Sequence, residues 1–274
     1  MTRRPNAARW AQALVVVSSL TVTACGAARL ALPATPGMPA ADAADAFAQA
    51  TSMCQGITTF SAELAVSGRV AGRRLRARLL AGTATPASMF LDAPAPFGAS
   101  VFQLAARGDE ATLILPRDRR VLERGRPDAV LEAMTGVPLS PADLHQALTG
   151  CVPAIDASGG REAGDLWRII PGEQETYLHR VSAAAPWQLL AVIHRPVSRP
   201  AWRAEYRDFA NGLPRTIQLV SEAAGRFDLR VALSQIEINA ALDVATFVLR
   251  VPPEFAPIAL DEVREAGPLA EPNR

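Results

Sequence analysis

Between Thr59 and Val70 apolar and polar residues alternate, with Phe60, Ala62, Leu64, Val66 and Val70 on one side and Thr59, Ser61, Glu63, Ser67 and Arg69 on the other. A period of two is that of an extended strand with one face buried and one wet. Ala71-Gly72 turns the chain into Arg73–Ala81, where Leu75, Ala77 and Leu79 alternate with Arg74, Arg76 and Arg78. The same pattern predicts strands at Ser88–Asp92, Val101–Arg107, Glu110–Leu115, Val121–Arg124, Asp165–Ile170, Glu175–Val181, Trp187–Arg195, Trp202–Phe209, Arg215–Ser221 and Arg226–Ile238, with a further one at Phe247–Val251. Gly108-Asp109, Asn211-Gly212 and Ala224-Gly225 supply turns. In Arg226–Ile238 the buried parity switches after Leu233, so a bulge is expected near Ser234-Gln235.

Three stretches carry a helical pattern instead. Ala40–Cys54 places Phe47, Ala50 and Cys54 on one side and stops at Gly56. A second helix opens at Pro127, where the missing N–H costs nothing, presents Val130, Leu131 and Met134, and stops at Gly136. A third has Ser140 as N-cap, Pro141 at its first position, Asp143 as capping-box acid, a Leu139–Leu144 staple and Gly150 as its end. Each is too short to stand alone and must lie on the sheet. Between the strands and this helical pair, Pro94-Ala95-Pro96-Phe97-Gly98 puts a large aromatic at a turn. That setting favours exposure of Phe97, with folding back into the core as the alternative.

About a dozen strands and three short helices in one run without an internal linker predict a single, mainly β domain with some α. A chain of this length can form one large antiparallel sheet or barrel, and the central helices are the available cover for its concave side.

The N-terminus changes the picture of where this domain works. Arg3, Arg4 and Arg9, then an apolar run from Ala11 to Leu20, read as an export signal over residues 1–24. Val22-Thr23-Ala24-Cys25 resembles a bacterial lipobox, which implies lipidation of Cys25. Residues 25–39 are Ala- and Pro-rich and read as a tether reaching roughly 20 Å from a membrane. The domain proper is then 40–256, with 257–274 a loose C-terminal tail.

Loss of the three leader arginines takes the formal charge from +1 to about −2, which argues against a nucleic-acid partner. Cys54 and Cys151 remain, each at the end of a predicted helix. In an oxidising periplasm a disulfide between them is the expected state, two buried thiols being the alternative.

No catalytic or cofactor motif is present: His145, His179 and His194 lack metal-ligand spacing, Ser158-Gly159-Gly160 lacks the helix a phosphate cradle needs, and Glu173 and Glu175 flank a turn. The chain is read as a non-enzyme with no cofactor and no metal. Arg74, Arg76 and Arg78 have the chemistry of a ligand or lipid-headgroup site, but a solvated outer sheet face ordinarily looks the same and is the reading adopted.

The order of these elements resembles the LolA/LolB lipoprotein-sorting family, and its LolB branch, the outer-membrane lipoprotein receptors, most of all. The residues that carry the resemblance are Ala95-Pro96-Phe97-Gly98, Leu131 with Met134-Thr135-Gly136-Val137-Pro138-Leu139, and Leu144 to Leu148 with Gly150. It runs from about Ala46 to Gly150, while Ala241-Leu242-Asp243 through Phe247 to Pro252-Pro253 looks more like LolA.

The resemblance implies a mainly β fold with α, a half-open antiparallel β-barrel of about 11–12 strands with a helical lid, and in it an apolar cavity for the acyl chains of a lipoprotein, formed here by Phe60, Leu64, Val66, Leu75, Leu79, Met134 and Leu148. It implies a membrane-inserting loop at Pro96, Phe97 and Gly98. It further implies partnership with lipoprotein acyl chains, a periplasmic LolA-like carrier and the outer-membrane lipid surface. The protein would be a lipid-anchored monomer on the periplasmic face of the outer membrane. The alternatives are a lipid or glycolipid binder, or an envelope-stress sensor that recognises a protein.

Overall fold

Strands with one greasy face can bury it by pairing edge to edge and curving round a common interior, and this chain does so. The structure is a computed structural model that describes residues 29–35, 37–95, 100–153, 156–197, 199–223 and 225–267. The signal, Cys25 and the Pro96-Phe97-Gly98 turn lie outside the described residues. Leu32 onward belongs to one unit. Its elements in order are β1 (Met38–Pro39), α1 (Ala43–Ala50), β2 (Thr59–Val70), β3 (Arg73–Ala84), β4 (Ser88–Ala93), β5 (Phe102–Arg107), β6 (Glu110–Leu115) and β7 (Arg120–Gly125). Then come α2 (Pro127–Thr135), α3 (Pro141–Thr149), β8 (Arg161–Glu162), β9 (Trp167–Ile170), β10 (Gln174–His179), β11 (Gln188–His194), β12 (Trp202–Arg207), β13 (Thr216–Ser221), β14 (Phe227–Ile238), β15 (Ala256–Pro257) and α4 (Leu260–Ala266).

All fifteen strands form one sheet in the order β1-β8-β9-β10-β11-β12-β13-β14-β2-β3-β4-β5-β6-β7-β15. It is antiparallel throughout except at the β15–β7 edge, and it is not closed. The first half of the chain supplies one wing and the second half the other. They join where β14 pairs with β2, so that Val231 lies opposite Val66 and Leu233 opposite Leu64.

The expected bulge is present. Ser234 lies opposite Glu63 and Glu237 opposite Ser61, one residue more on β14 than on β2, with Gln235 at φ +50°. The extra residue turns Ile236 back onto the core that Leu233 already faces.

Helix α1 is fixed to the second wing by polar contacts. The Arg168 guanidinium donates to both Asp42 carboxylate oxygens, at 2.6 and 2.9 Å, and holds that carboxyl below its usual range. Arg168 and Arg180 flank the Trp187 ring at 4.7 and 4.5 Å from its centroid, and the Trp187 N–H donates to Gln49 at 3.0 Å. Cys54 and Cys151 are bonded, their Cα atoms 5.3 Å apart, which ties the turn after α1 to the end of α3.

Three expectations need correction. The segment read as a strand at Phe247–Val251 is a 3-10 turn at Val244–Phe247 followed by irregular chain. The Asp243 side chain accepts from the Ala245 N–H at 3.1 Å, and burial of Phe247 holds the turn down.

The tail from 257 is not loose as far as 267. Ala256 and Ile258 hydrogen-bond to the β7 side, and α4 inserts the fully buried Val263 next to α2. The Arg120–Glu262 ion pair, at 2.9 Å, adds to this docking.

Residues 25–39 are not a free tether throughout. Leu32 packs on an outer cluster of Ile169, Tyr177, Ala191 and Ile193, and Met38–Pro39 pair with β8. An apolar residue beside an exposed apolar sheet face docks there even within an Ala/Pro-rich stretch. Among the described residues no helix is long and apolar enough to cross a membrane.

Candidate functional site

The helical roof is built by local signals. Pro127 starts α2, and Gly136 ends it in the left-handed region at φ +71°. A Cβ on Gly136 would stand 2.2 Å from Val70, so the glycine lets the link to α3 lie against β2. The Thr135 hydroxyl donates to the Leu131 carbonyl at 2.7 Å and accepts from the Val137 N–H at 3.1 Å, so this hydroxyl is satisfied within the roof. Ser140 and Asp143 then form a complete capping box, and Gly150 ends α3 at φ +71°. The link buries Val137 and Leu139, and α3 buries Leu144, Ala147 and Leu148.

Beneath this roof β2 offers Leu64 and Val66, β3 Leu75 and Leu79, and β4 Leu91. From the other wing β13 offers Ile217 and Leu219, and β14 offers Leu229 and Val231. Between the two layers runs a seam lined by these residues with Leu131, Thr135, Val137, Leu139, Leu144, Ala147 and Leu148. Its free volume is about 60 Å³.

Such a volume would hold a few waters, yet nothing in the lining offers a water the two to four polar partners it needs. It is also well short of the several hundred cubic ångströms of an occupied ligand pocket. The structure is therefore that of a roof lowered onto an apolar floor, with an unfilled gap that costs about 1 to 2 kcal/mol in lost packing.

Few polar ties hold the roof down. Thr83 on β3 and His145 on α3 share a buried hydrogen bond of 2.8 Å, and the Gln146 and Gln174 side-chain amides pair at 2.5 and 3.2 Å. Burial lowers the pKa of His145, so the ring in this bond is neutral imidazole near pH 7.

Of the residues assigned to an acyl cavity, Leu64, Val66, Leu75, Leu79 and Leu148 line the seam and Phe60 and Met134 do not. Phe60 sits opposite Thr83, at the level where the Thr83–His145 bond draws α3 onto the sheet, and the core there is solid. Met134 is likewise buried away from the gap. The seam residues not assigned to the cavity from the sequence are Leu91, six residues of the roof, and Ile217, Leu219, Leu229 and Val231 of β13 and β14. The parity of Phe227, Leu229, Val231 and Leu233 marks the β14 residues. In β13 every residue is buried, so alternation gives no signal.

No protein-family model matches the sequence, and no curated protein matches it. The fold is similar to that of a DUF1329 family protein from Desulfovibrio piger, with a TM-score of 0.47 at 11% identity over 77% of this chain and 98% of that one. It is similar to a LolA superfamily protein from Nitrosomonas europaea, with a TM-score of 0.43 at 11% identity over 76% and 97%. For the Mycobacterium tuberculosis lipoprotein LppX the values are 0.32 and 11% over 73% and 97%. At such scores and identities the likeness specifies neither ligand nor partner for this chain.

Proposed function

We propose that the protein binds the acyl chains of lipoproteins between the sheet and the α2–α3 roof, in the cell envelope, and helps insert them into the outer membrane. The observation that carries this reading is the seam itself. Every lining residue but Thr135 is apolar, the Thr135 hydroxyl is satisfied within the roof, and a gap remains where two separately built layers meet. Acyl chains ask for no more than this, since each methylene withdrawn from water contributes about 0.8 kcal/mol.

The roof is five residues of link and two short helices, so lifting it exposes apolar surface that an incoming chain covers again. Entry thus exchanges one apolar contact for another, and release needs only a bilayer that offers the same environment. Lipidation at Cys25 would hold the domain at the periplasmic face of that membrane, a LolA-like carrier would deliver the cargo, and Phe97 would enter the lipid.

Depletion of the protein followed by membrane fractionation tests the sorting role: lipoproteins are expected to accumulate away from the outer membrane, and an unchanged distribution contradicts it. Phe97→Glu should impair transfer with acyl binding intact. A free lipid or glycolipid fits the same seam. Native mass spectrometry of the purified protein separates the readings, because a copurifying glycolipid together with normal lipoprotein distribution favours the second.

A further inference from the structure

The outer face of the same strands holds a second, chemically opposite feature. On β14, β2 and β3 the register sets Arg230 opposite Ser67, and Ser67 opposite Arg76. One step along, Ala232 lies opposite Ala65, and Ala65 opposite Arg78. Strand spacing puts Arg230 and Arg76 about 10 Å apart across Ser67, with Arg78 about 7 Å from Arg76 along β3. The three guanidinium groups thus stand round a floor of small side chains, in an open depression of about 660 Å³. Pro94 and Val101 wall one side.

None of the three arginines is in an ion pair among the described residues, and the Ser67 hydroxyl is in no hydrogen bond. The adjoining row sets Arg69 directly opposite Arg74, with Asp228 opposite Arg69 on its other side. Like charges in that position cost stability. Glu63 and Asp228 are the carboxylates at neighbouring register positions, and the Asp228 carboxylate accepts from Gln218.

Elsewhere in the sheet, arginines on one strand face are matched by an anion from the chain itself. On β12 Arg203 and Arg207 flank Glu205, which is fully buried and bonded to them at 2.5 and 2.9 Å. There the chain provides the anion between two arginines. On β3 the same spacing is Arg74, Arg76 and Arg78, so an arginine stands where β12 has its carboxylate, and no carboxylate lines the depression.

We propose that Arg76, Arg78 and Arg230, with the Ser67 hydroxyl, form a binding site for a phosphate group on the outer face of the sheet. Forked guanidinium donors suit the tetrahedral oxygens of a phosphate monoester or diester, and Ser67 supplies a further donor from the floor. Lipid headgroups and soluble phosphates share this chemistry. The site stands on the opposite face from the apolar seam and does not depend on what the seam binds.

The full chain can be co-sedimented with phosphatidylcholine vesicles, with and without phosphatidylglycerol. The difference between the two isolates the charged term from any anchoring by the N-terminus. In parallel, the thermal midpoint is followed in millimolar inorganic phosphate against chloride of equal ionic strength. The variants are the triple Arg76→Ala, Arg78→Ala, Arg230→Ala and a triple of equal charge elsewhere, Arg117→Ala, Arg161→Ala, Arg250→Ala.

The wild type and the second triple should favour phosphatidylglycerol vesicles by at least about tenfold, with the first triple losing that preference. A vesicle preference alone assigns a lipid headgroup, and a raised midpoint in phosphate alone assigns a soluble phosphate. Both together assign the phosphate group whatever carries it. Absence of both responses in the wild type, or equal loss in the two triples, overturns the proposal.

Discussion

Arg78 and Leu79 are neighbours on β3, and the sheet sends them to opposite faces. Leu79 meets the roof in a narrow apolar seam of about 60 Å³, whereas Arg78 borders a wide depression of about 660 Å³ with two further arginines. One run of alternating residues thus builds an apolar interior and a cationic exterior from the same backbone. The lesson lies in how each face is completed. The inner face is covered by the chain's own helices, and at β12 the outer face is neutralised by the chain's own Glu205. At β3 neither cover nor counter-charge is supplied from within.

The largest effect should come from making β12 resemble β3. Glu205→Ala leaves Arg203 and Arg207 without the carboxylate that both contact and should cost about 4 kcal/mol, read from denaturant unfolding. Little or no loss would mean that the two arginine pairs do not differ energetically as their partners imply. Next is Leu79→Ala, which enlarges a gap that is already unfilled and should cost about 3 kcal/mol by the same measurement.

Acidification sharpens the contrast between buried and exposed cations. Burial pushes the His194 pKa down to about 4, against the opposing pull of Asp143, and lowers that of His145. Both are depressed relative to the unfolded chain, so stability is whole above about pH 6.5 and declines below it, with the His194 share lost as the pH falls toward 4. Titration of the unfolding free energy should show a decline of about 3 kcal/mol or more across that window, and a flat profile would contradict burial of the rings. The smallest effect belongs to Arg78→Ala, beside Leu79 in sequence. It should change stability by less than about 0.5 kcal/mol, in either direction, because its side chain is solvated.

Much of this was legible from residue order. Period-two runs placed the long strands, Ser140 with Asp143 and Gly150 placed α3, and the parity switch after Leu233 placed the bulge. Elements that depend on a distant partner were not legible. Helix α4 is seven residues long and anchored by Val263, so its stability comes from α2 and β7, more than a hundred residues earlier. Arg230 joins Arg76 and Arg78 only because β14 closes onto β2, a pairing that no local pattern encodes.

The seam illustrates a further limit. Alternation says that Phe60 and Leu79 both point inward, but whether each meets a gap or a filled core depends on where α3 is pulled down. That point depends on partners distant in sequence, the Thr83–His145 and Gln146–Gln174 hydrogen bonds and the Cys54–Cys151 disulfide.

The central claim, that the roof lifts to admit acyl chains, is tested most directly with a dansyl-labelled fatty acid. Its fluorescence is compared between the wild type and Leu148→Trp, which fills the gap with aromatic volume. The account predicts saturable, blue-shifted emission with the wild type and a loss of about tenfold or more in affinity with the variant, while the fold is retained by circular dichroism. No binding by the wild type, or equal binding by the two proteins, would contradict it.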